Sequence, residues 1–127
     1  MRKILYAEDN VLYRERVAKK LRSIGFEVVE VSSCGDAINA LAEHPDLYVV
    51  IWDGSLKDGQ SYNGAIQHFA LNFKGVMIAN SSDLTFNRRL LAAGCTHIIT
   101  SNQIDNALKQ ESFVLKELLR KLNITPE

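Results

Sequence analysis

The sequence predicts an α/β fold in which helices cover both faces of one parallel sheet. Five short apolar runs alternate along the chain with five segments whose apolar residues recur at helical spacing. This alternation predicts right-handed βαβ crossovers, which place all five strands parallel in one sheet. The 127 residues are enough to bury one core, so we expect a single domain spanning residues 1–127.

Composition and charge exclude several classes of protein. The chain has 15 basic and 15 acidic residues, and this zero formal charge does not provide the basic surface of nonspecific nucleic-acid binding. No apolar run approaches the roughly 20 residues of a membrane span. Cys34 and Cys95 form no CxxC pair, which predicts reduced thiols in a cytoplasmic protein. We therefore expect neither a nucleic-acid nor a membrane partner.

The first half of the chain predicts three strands and two helices. Each helix begins at a capping side chain and ends at a residue that stops it, Gly25 for the first and the His44-Pro45 pair for the second. The third strand is apolar throughout, as a central strand buried on both faces should be. In order, the predicted elements are a strand Lys3–Ala7, a helix 10–24 capped by Asn10, a strand Glu27–Val31, a helix 33–44 capped by Ser33 and a strand Leu47–Trp52.

The second half predicts the remaining two strands and three helices. Residues 53–61 are rich in turn formers and predict a loop. A helix 62–71, a strand Val76–Ala79, a helix 83–93 stopped by Gly94 and a strand 96–100 follow. One last helix is predicted from apolar residues at intervals of mostly three, four and seven: Ile104, Leu108, Leu115, Leu118 and Leu122.

Acidic residues stand where two predicted strands end. Glu8 and Asp9 follow the first strand, and Asp53 follows the third. If the strand order is 2-1-3-4-5, these strands are neighbours, and their carboxylates converge at the edge where such sheets bind ligands. Converging carboxylates need a cation, and a few oxygen ligands suit Mg²⁺. The alternative is that each acid only caps a strand or the following helix.

Several segments in the same order resemble the receiver domain of two-component response regulators over essentially the whole chain. The acidic pair after the first strand is one of them. The segment VVIWDGSLKDG is similar to the family's D-x-x-L-P-D-G loop, with Lys57 in place of proline. VMIANSS ends in a hydroxyl residue after the fourth strand, and LLAAGCTHII is similar to the segment before the fifth.

The resemblance implies a flavodoxin-like, doubly wound (βα)5 fold with a five-stranded parallel sheet of order 2-1-3-4-5. It implies that Asp53 is the phosphoacceptor and that the Ser81 hydroxyl follows the phosphoryl group. Mg²⁺ would be held by Glu8, Asp9 and Asp53 and by the backbone carbonyl of Ser55. The implied function is that of a signalling module and not of an enzyme.

The implied phosphoryl donor is a histidine kinase or a histidine phosphotransfer protein, with a downstream protein or a second copy as a further possible partner. In the family such donors commonly dock on the first helix. That helix is basic here, which also fits a merely solvated face. Its basic residues are Arg14, Arg16, Lys19, Lys20 and Arg22.

Two departures from the family pattern leave other functions open. Ser101 stands where the family has a lysine, and Ile98 stands where it has an aromatic switch residue. The missing ammonium favours a pseudo-receiver, which binds a protein partner without being phosphorylated, unless Lys57 folds back over the pocket. A phosphatase with an aspartate nucleophile is a weaker alternative, because Ser55 occupies the position of its second acid.

Overall fold

A computed structural model describes residues 1–127, except for the side chains at positions 69 and 70. The strands are β1 (Lys3–Ala7), β2 (Glu27–Val31), β3 (Leu47–Trp52), β4 (Ser55–Leu56), β5 (Gly59–Gln60), β6 (Val76–Ala79) and β7 (His97–Ile98). The helices are α1 (Val11–Ser23), α2 (Cys34–Glu43), α3 (Tyr62–Ala70), α4 (Leu84–Ala92), α5 (Ser101–Leu108) and α6 (Ser112–Arg120).

The central sheet has the order β2-β1-β3-β6-β7, and all of its neighbouring strands are parallel. Because β4 and β5 form a separate hairpin, this is the order 2-1-3-4-5 of a doubly wound fold, and the predicted fold class is confirmed. Residues of α1, α5 and α6 pack on one face of the sheet, and residues of α2, α3 and α4 pack on the other.

Local sequence accounts for the ends of the first two helices. The Asn10 side chain accepts a hydrogen bond from the Tyr13 N–H at 3.0 Å, and the Ser33 hydroxyl accepts one from the Asp36 N–H at 3.0 Å. These side chains satisfy backbone donors that have no partner inside the helix. Gly25 follows α1 with a φ of +108°, a conformation that glycine adopts without the strain of a Cβ.

The segment 53–61 is not simply a loop, which corrects the prediction. Ser55–Leu56 and Gly59–Gln60 pair as a short antiparallel hairpin. The Asp58 carboxylate in its turn accepts hydrogen bonds from the Cys34 and Gly35 N–H groups at 2.7 and 3.1 Å, which fastens the hairpin to the start of α2. Strands of two residues are too short to show an alternating pattern, so the sequence did not reveal them.

The last predicted helix is two helices, which is a second correction. Glu111 between α5 and α6 is extended, with φ −60° and ψ 150°. The Lys20 ammonium of α1 donates to the Gln110 carbonyl at 2.6 Å, so this carbonyl has a partner outside the helix. Leu115 and Leu119 of α6 still reach the core, which explains why the apolar spacing continued across the break.

The fifth strand of the sheet is shorter than predicted, with only His97–Ile98 assigned to it. The flanking Thr96 and Ile99 N–H groups nevertheless donate to the Met77 and Ala79 carbonyls, both at 3.0 Å. Among the described residues, no helix has the length and apolar character needed to cross a membrane. Cys34 and Cys95 are buried and form no disulfide with each other.

Trp52 and His68 form an aromatic contact behind the central strand. Their ring centroids are 5.0 Å apart at an interplanar angle of 81°, an edge-to-face arrangement. The buried His68 ring donates its Nε2–H to the Ala37 carbonyl at 2.9 Å, since a carbonyl can only accept. Its Nδ1 has no partner among the described residues, and burial lowers the pKa of His68.

We predict that His68 makes the fold less stable in mild acid. Below a pH of about 6.5 the unfolded chain protonates this ring and the folded chain does not, so stability falls with pH by at most about 1.4 kcal/mol per pH unit. The loss of stability ends once the pH falls below the lowered pKa of His68 in the folded chain. Urea unfolding between neutral and mildly acidic pH measures it. Because the raised pKa of Glu8 acts in the opposite direction, the test is the difference from His68→Gln, which keeps an N–H donor and should lose less stability on acidification than the unaltered chain.

His97→Gln is the matched control, because His97 is only partly buried. It should keep the pH dependence of the unaltered chain. An equal slope in the chain and in His68→Gln would show that His68 is not responsible.

Candidate functional site

The candidate site lies at the carboxyl edge of the central sheet, where hydrogen bonds continue one residue beyond each strand. The Glu8 N–H donates to the Val31 carbonyl and the Asp53 N–H to the Ala7 carbonyl, both at 3.0 Å. The Asn80 N–H donates to the Trp52 carbonyl at 2.8 Å. The backbones that carry the site residues are therefore fixed by the sheet and not by flexible loops.

The structure brings together the carboxylates of Glu8, Asp9 and Asp53. One oxygen from each lies within 4.8 Å of the others. Glu8 is buried, Asp53 is partly buried and Asp9 is exposed, so the cluster opens from the sheet edge to solvent. This is the convergence that the strand order and the sequence positions predict.

The electrostatics of the cluster are unfavourable for its charged form. Burial, and then the neighbouring Asp53 carboxylate, raise the pKa of Glu8 well above its ordinary value. Burial and the Glu8 carboxylate likewise raise the pKa of Tyr6, which lies in β1 two residues before Glu8. Among the described residues, no ion pair includes Glu8, Asp9 or Asp53. The Arg14 guanidinium donates to the Glu8 backbone carbonyl at 3.0 Å and pairs with the Glu30 carboxylate, not with that of Glu8.

The donor set fits a magnesium ion. All three side chains offer carboxylate oxygens, which Mg²⁺ prefers, and the open side leaves room for the waters that it retains. The buried Glu8 Oε2 has no hydrogen-bond partner among the described residues. A divalent cation would satisfy this oxygen and neutralise the repulsion between the acids.

Ser81 lies against the residue that follows Asp53. A Cβ built on Gly54 would be only 2.6 Å from the Ser81 Oγ and 2.8 Å from a ring carbon of Phe86. Glycine is thus the residue that lets the buried hydroxyl approach the backbone beside Asp53. The same oxygen accepts a hydrogen bond from the Asp83 N–H at 3.0 Å.

Ser55 begins the hairpin directly after Asp53 and Gly54. It pairs with Gln60. The neighbouring pair, Gly54 and Ser61, is joined by a 3.2 Å hydrogen bond from the Ser61 N–H to the Gly54 carbonyl. Bonded and non-bonded pairs alternate in antiparallel strands, so Ser55 stands in a non-bonded pair. The Ser55 carbonyl therefore makes no hydrogen bond within the hairpin. A carbonyl that is to bind a metal ion has to be free in this way.

The positions that depart from the receiver pattern have clear structural settings. Ser101 is the first residue of α5, whose N-cap Thr100 forms a reciprocal pair of capping bonds with Gln103. Ile98 is 37% exposed on the edge strand. Lys57 is exposed in the hairpin turn, and its N–H donates to the Ser32 carbonyl at 2.9 Å.

Sequence reasoning missed two buried amides beside these residues. Asn80 follows β6 and donates from its Nδ2 to the Ile99 carbonyl at 2.7 Å, which joins β6 to the start of α5. Asn87 of α4 bonds to the backbone of Ser81. The position of Asn80 at a strand end was a usable signal, whereas nothing in the pattern of α4 marks Asn87.

No family model matches this sequence, and no curated protein does. Solved structures do match: chemotaxis protein CheY4 of Vibrio cholerae aligns with TM-score 0.77 and 16% identity over 95% of this chain and 98% of that one. The chain has the fold of a response regulator receiver domain.

Two further receiver-fold matches have TM-scores of 0.70. A CheY-like receiver domain protein from Methanospirillum hungatei is 19% identical over 92% of this chain and 98% of that one. The other comes from a Saccharomyces cerevisiae co-crystal of the histidine phosphotransfer protein Ypd1 with the receiver domain of Ssk1. It is 18% identical over 78% of this chain and 77% of that chain. Identities this low establish the shared fold alone.

We predict that Mg²⁺ binds the folded chain and stabilises it. At ten times its Kd, a ligand that binds only the folded state adds about 1.4 kcal/mol to the free energy of unfolding. Thermal unfolding and Trp52 fluorescence during a Mg²⁺ titration measure this, since the indole is next to Asp53 in sequence. Asp53→Asn should weaken both responses, because it removes one charged ligand.

Asp36→Asn serves as the matched control, since Asp36 is an exposed acid in the first turn of α2. It should respond to Mg²⁺ as the unaltered chain does. Millimolar Mg²⁺ that changed neither the unfolding temperature nor the fluorescence would contradict the site.

Proposed function

We propose that residues 1–127 form a single receiver domain that accepts a phosphoryl group on Asp53 in the presence of Mg²⁺. The donor is a histidine kinase or a histidine phosphotransfer protein, and the signal passes on through protein contacts, with a downstream protein or a second copy as the receiving partner. The chain acts as a signalling module and not as an enzyme. A cytoplasmic location, in which buried thiols stay reduced, belongs to the same proposal.

The observation that carries this proposal is the convergence of three carboxylates within 4.8 Å on a receiver fold. In the transfer, an Asp53 carboxylate oxygen forms a bond to phosphorus while the bond from phosphorus to the donor imidazole nitrogen breaks. The product is an acyl phosphate on Asp53. The donor nitrogen keeps the electron pair of the broken bond, and the ring leaves as neutral imidazole because its other nitrogen carries a proton. When bound, Mg²⁺ neutralises the charge that the phosphoryl group brings into the acidic pocket.

The remaining roles follow from where the side chains lie. Glu8 and Asp9 would hold the cation together with Asp53 and the carbonyl of Ser55. In this proposal the Ser81 hydroxyl, which lies beside Gly54, donates a hydrogen bond to an oxygen of the phosphoryl group.

A docking surface for the donor protein lies next to the acids. Val11 and Leu12 open α1, directly after Asp9 and Asn10, and are 52% and 74% exposed. Apolar side chains this exposed beside a charged pocket are typical of a contact surface. The Ypd1–Ssk1 co-crystal pairs a receiver domain with a histidine phosphotransfer protein, and we propose the same kind of partner here.

The pseudo-receiver alternative rests on two observations. Ser101 brings no positive charge to the pocket, and within the described part of the chain the acids have no ion-pair partner. A pseudo-receiver would use the same docking surface without transfer. Whether Asp53 accepts a phosphoryl group therefore separates the two functions.

We predict that acetyl phosphate with Mg²⁺ adds the mass of one phosphoryl group to the chain. The adduct should be stable in acid and labile in base, as an acyl phosphate is, and intact-mass spectrometry measures it. Asp53→Ala should abolish the addition, because it removes the nucleophile, whereas Asp36→Asn should retain it. Addition that persisted in Asp53→Ala would place the chemistry elsewhere, and no addition to any variant would favour the pseudo-receiver.

We predict that Ser101→Lys speeds this phosphorylation by about tenfold or more, since a fixed charge aimed at a transferring group is a large catalytic term. The ammonium would also lower the Mg²⁺ concentration that the reaction needs. Initial rates from acetyl phosphate over a range of Mg²⁺ concentrations test both effects.

Lys57→Ala is the control, because Lys57 is exposed in the hairpin turn. It should leave the rate unchanged, and a slower Lys57→Ala would show that this lysine supplies the missing charge. An unchanged rate in Ser101→Lys would show that the missing lysine does not limit transfer.

A further inference from the structure

Asn87 is a buried amide on the inner face of α4, and only 3% of it is exposed. Its Oδ1 accepts a hydrogen bond from the Ser81 N–H at 3.0 Å, and its Nδ2 donates to the Ser81 carbonyl at 2.9 Å. One side chain thus satisfies both backbone groups of a residue six positions earlier. Asparagine is a poor helix former and costly to bury unpaired, so this two-bond contact accounts for its presence here.

The contact fixes the backbone beneath the Ser81 hydroxyl. The hydroxyl oxygen accepts from the Asp83 N–H at 3.0 Å, which leaves its own proton free to be donated. On its other side the oxygen lies against Gly54, where a Cβ would come within 2.6 Å. The hydroxyl is thus held against Gly54, the residue after Asp53, without any phosphoryl group in the pocket.

We propose that Asn87 is a positioning residue that presets the Ser81 hydroxyl to donate to a phosphoryl oxygen on Asp53. This inference rests on the proposed function, because it needs Asp53 as the phosphoacceptor. The loop 80–83 then keeps one conformation before and after transfer. The alternative is a purely structural role, in which Asn87 only fastens the start of α4 to the sheet.

The first experiment measures hydrogen exchange at the Ser81 amide in the absence of a phosphoryl donor. Loss of the acceptor should speed this exchange by about tenfold in Asn87→Ala, and the exposed neighbour Arg88→Ala should leave it unchanged. Asn87→Asp keeps an acceptor oxygen for the N–H, so it serves if Asn87→Ala does not fold and should retain most of the protection. Unchanged exchange in Asn87→Ala would overturn the proposal.

The second experiment is a double-mutant cycle on the rate of phosphorylation by acetyl phosphate. Ser81→Ala and Asn87→Ala should each slow the reaction by about fivefold, the order expected for one hydrogen bond. If Asn87 acts through the hydroxyl, the double variant should be no slower than Ser81→Ala. Arg88→Ala should react at the rate of the unaltered chain.

The outcomes separate this inference from the proposed function. Fully additive effects in the cycle would leave Asn87 with a structural role and overturn the inference while phosphorylation stands. No phosphorylation of the unaltered chain would refute the proposed function and, with it, any role of Asn87 towards a phosphoryl group. Hydrogen exchange would then still report whether Asn87 holds Ser81.

Discussion

The repulsion among three carboxylates is the constraint to which the rest of the site responds. Oxygens of Glu8, Asp9 and Asp53 lie within 4.8 Å of one another, and burial makes each charge more costly at the Glu8 end. If their backbones were free to move, the three carboxylates would separate because like charges repel. They remain together because the sheet hydrogen bonds of Glu8 and Asp53 fix their backbones at the ends of adjacent parallel strands. Burial and the Asp53 carboxylate both raise the pKa of Glu8, so protonation of Glu8 would relieve the repulsion, as pairing with a divalent cation would.

The polar contacts around the acids fix the backbone more than they balance charge. Arg14 donates to the Glu8 carbonyl while its Nε pairs with Glu30, so its charge is committed to the second strand and not to the pocket. Asn80 ties the end of β6 to the Ile99 carbonyl with a neutral amide. Among the described residues, these neighbours of the acids therefore contribute rigidity and not a compensating charge.

The sequence predicted the sheet well because four of its five strands are four to six residues long, which is enough to show a pattern. The run Leu47–Trp52 is apolar throughout, as a central strand should be, and the acids at the ends of β1 and β3 were placed correctly from the strand order. The hairpin was missed because two-residue strands carry no periodicity. The break before α6 was missed because Lys20 stabilises it from a helix 90 residues away. Asn87 escaped notice because nothing in the pattern of α4 marks it, although its partner Ser81 is only six residues earlier.

The start of α5 relates the two departures from the receiver pattern, Ser101 in place of a lysine and Ile98 in place of an aromatic residue. In this chain Thr100 and Gln103 cap the helix reciprocally, and the Ile99 carbonyl just before it is bonded to Asn80, so the segment is anchored at its first turn. Ile98, on the edge strand, has no polar group at the end of its side chain that could form hydrogen bonds in a buried or an exposed position. A segment anchored in this way and lacking a charged residue has little means of responding to a phosphoryl group by moving. In the proposed receiver, the phosphoryl group itself, with its charge and its cation, is then the feature that a partner protein recognises at the sheet edge.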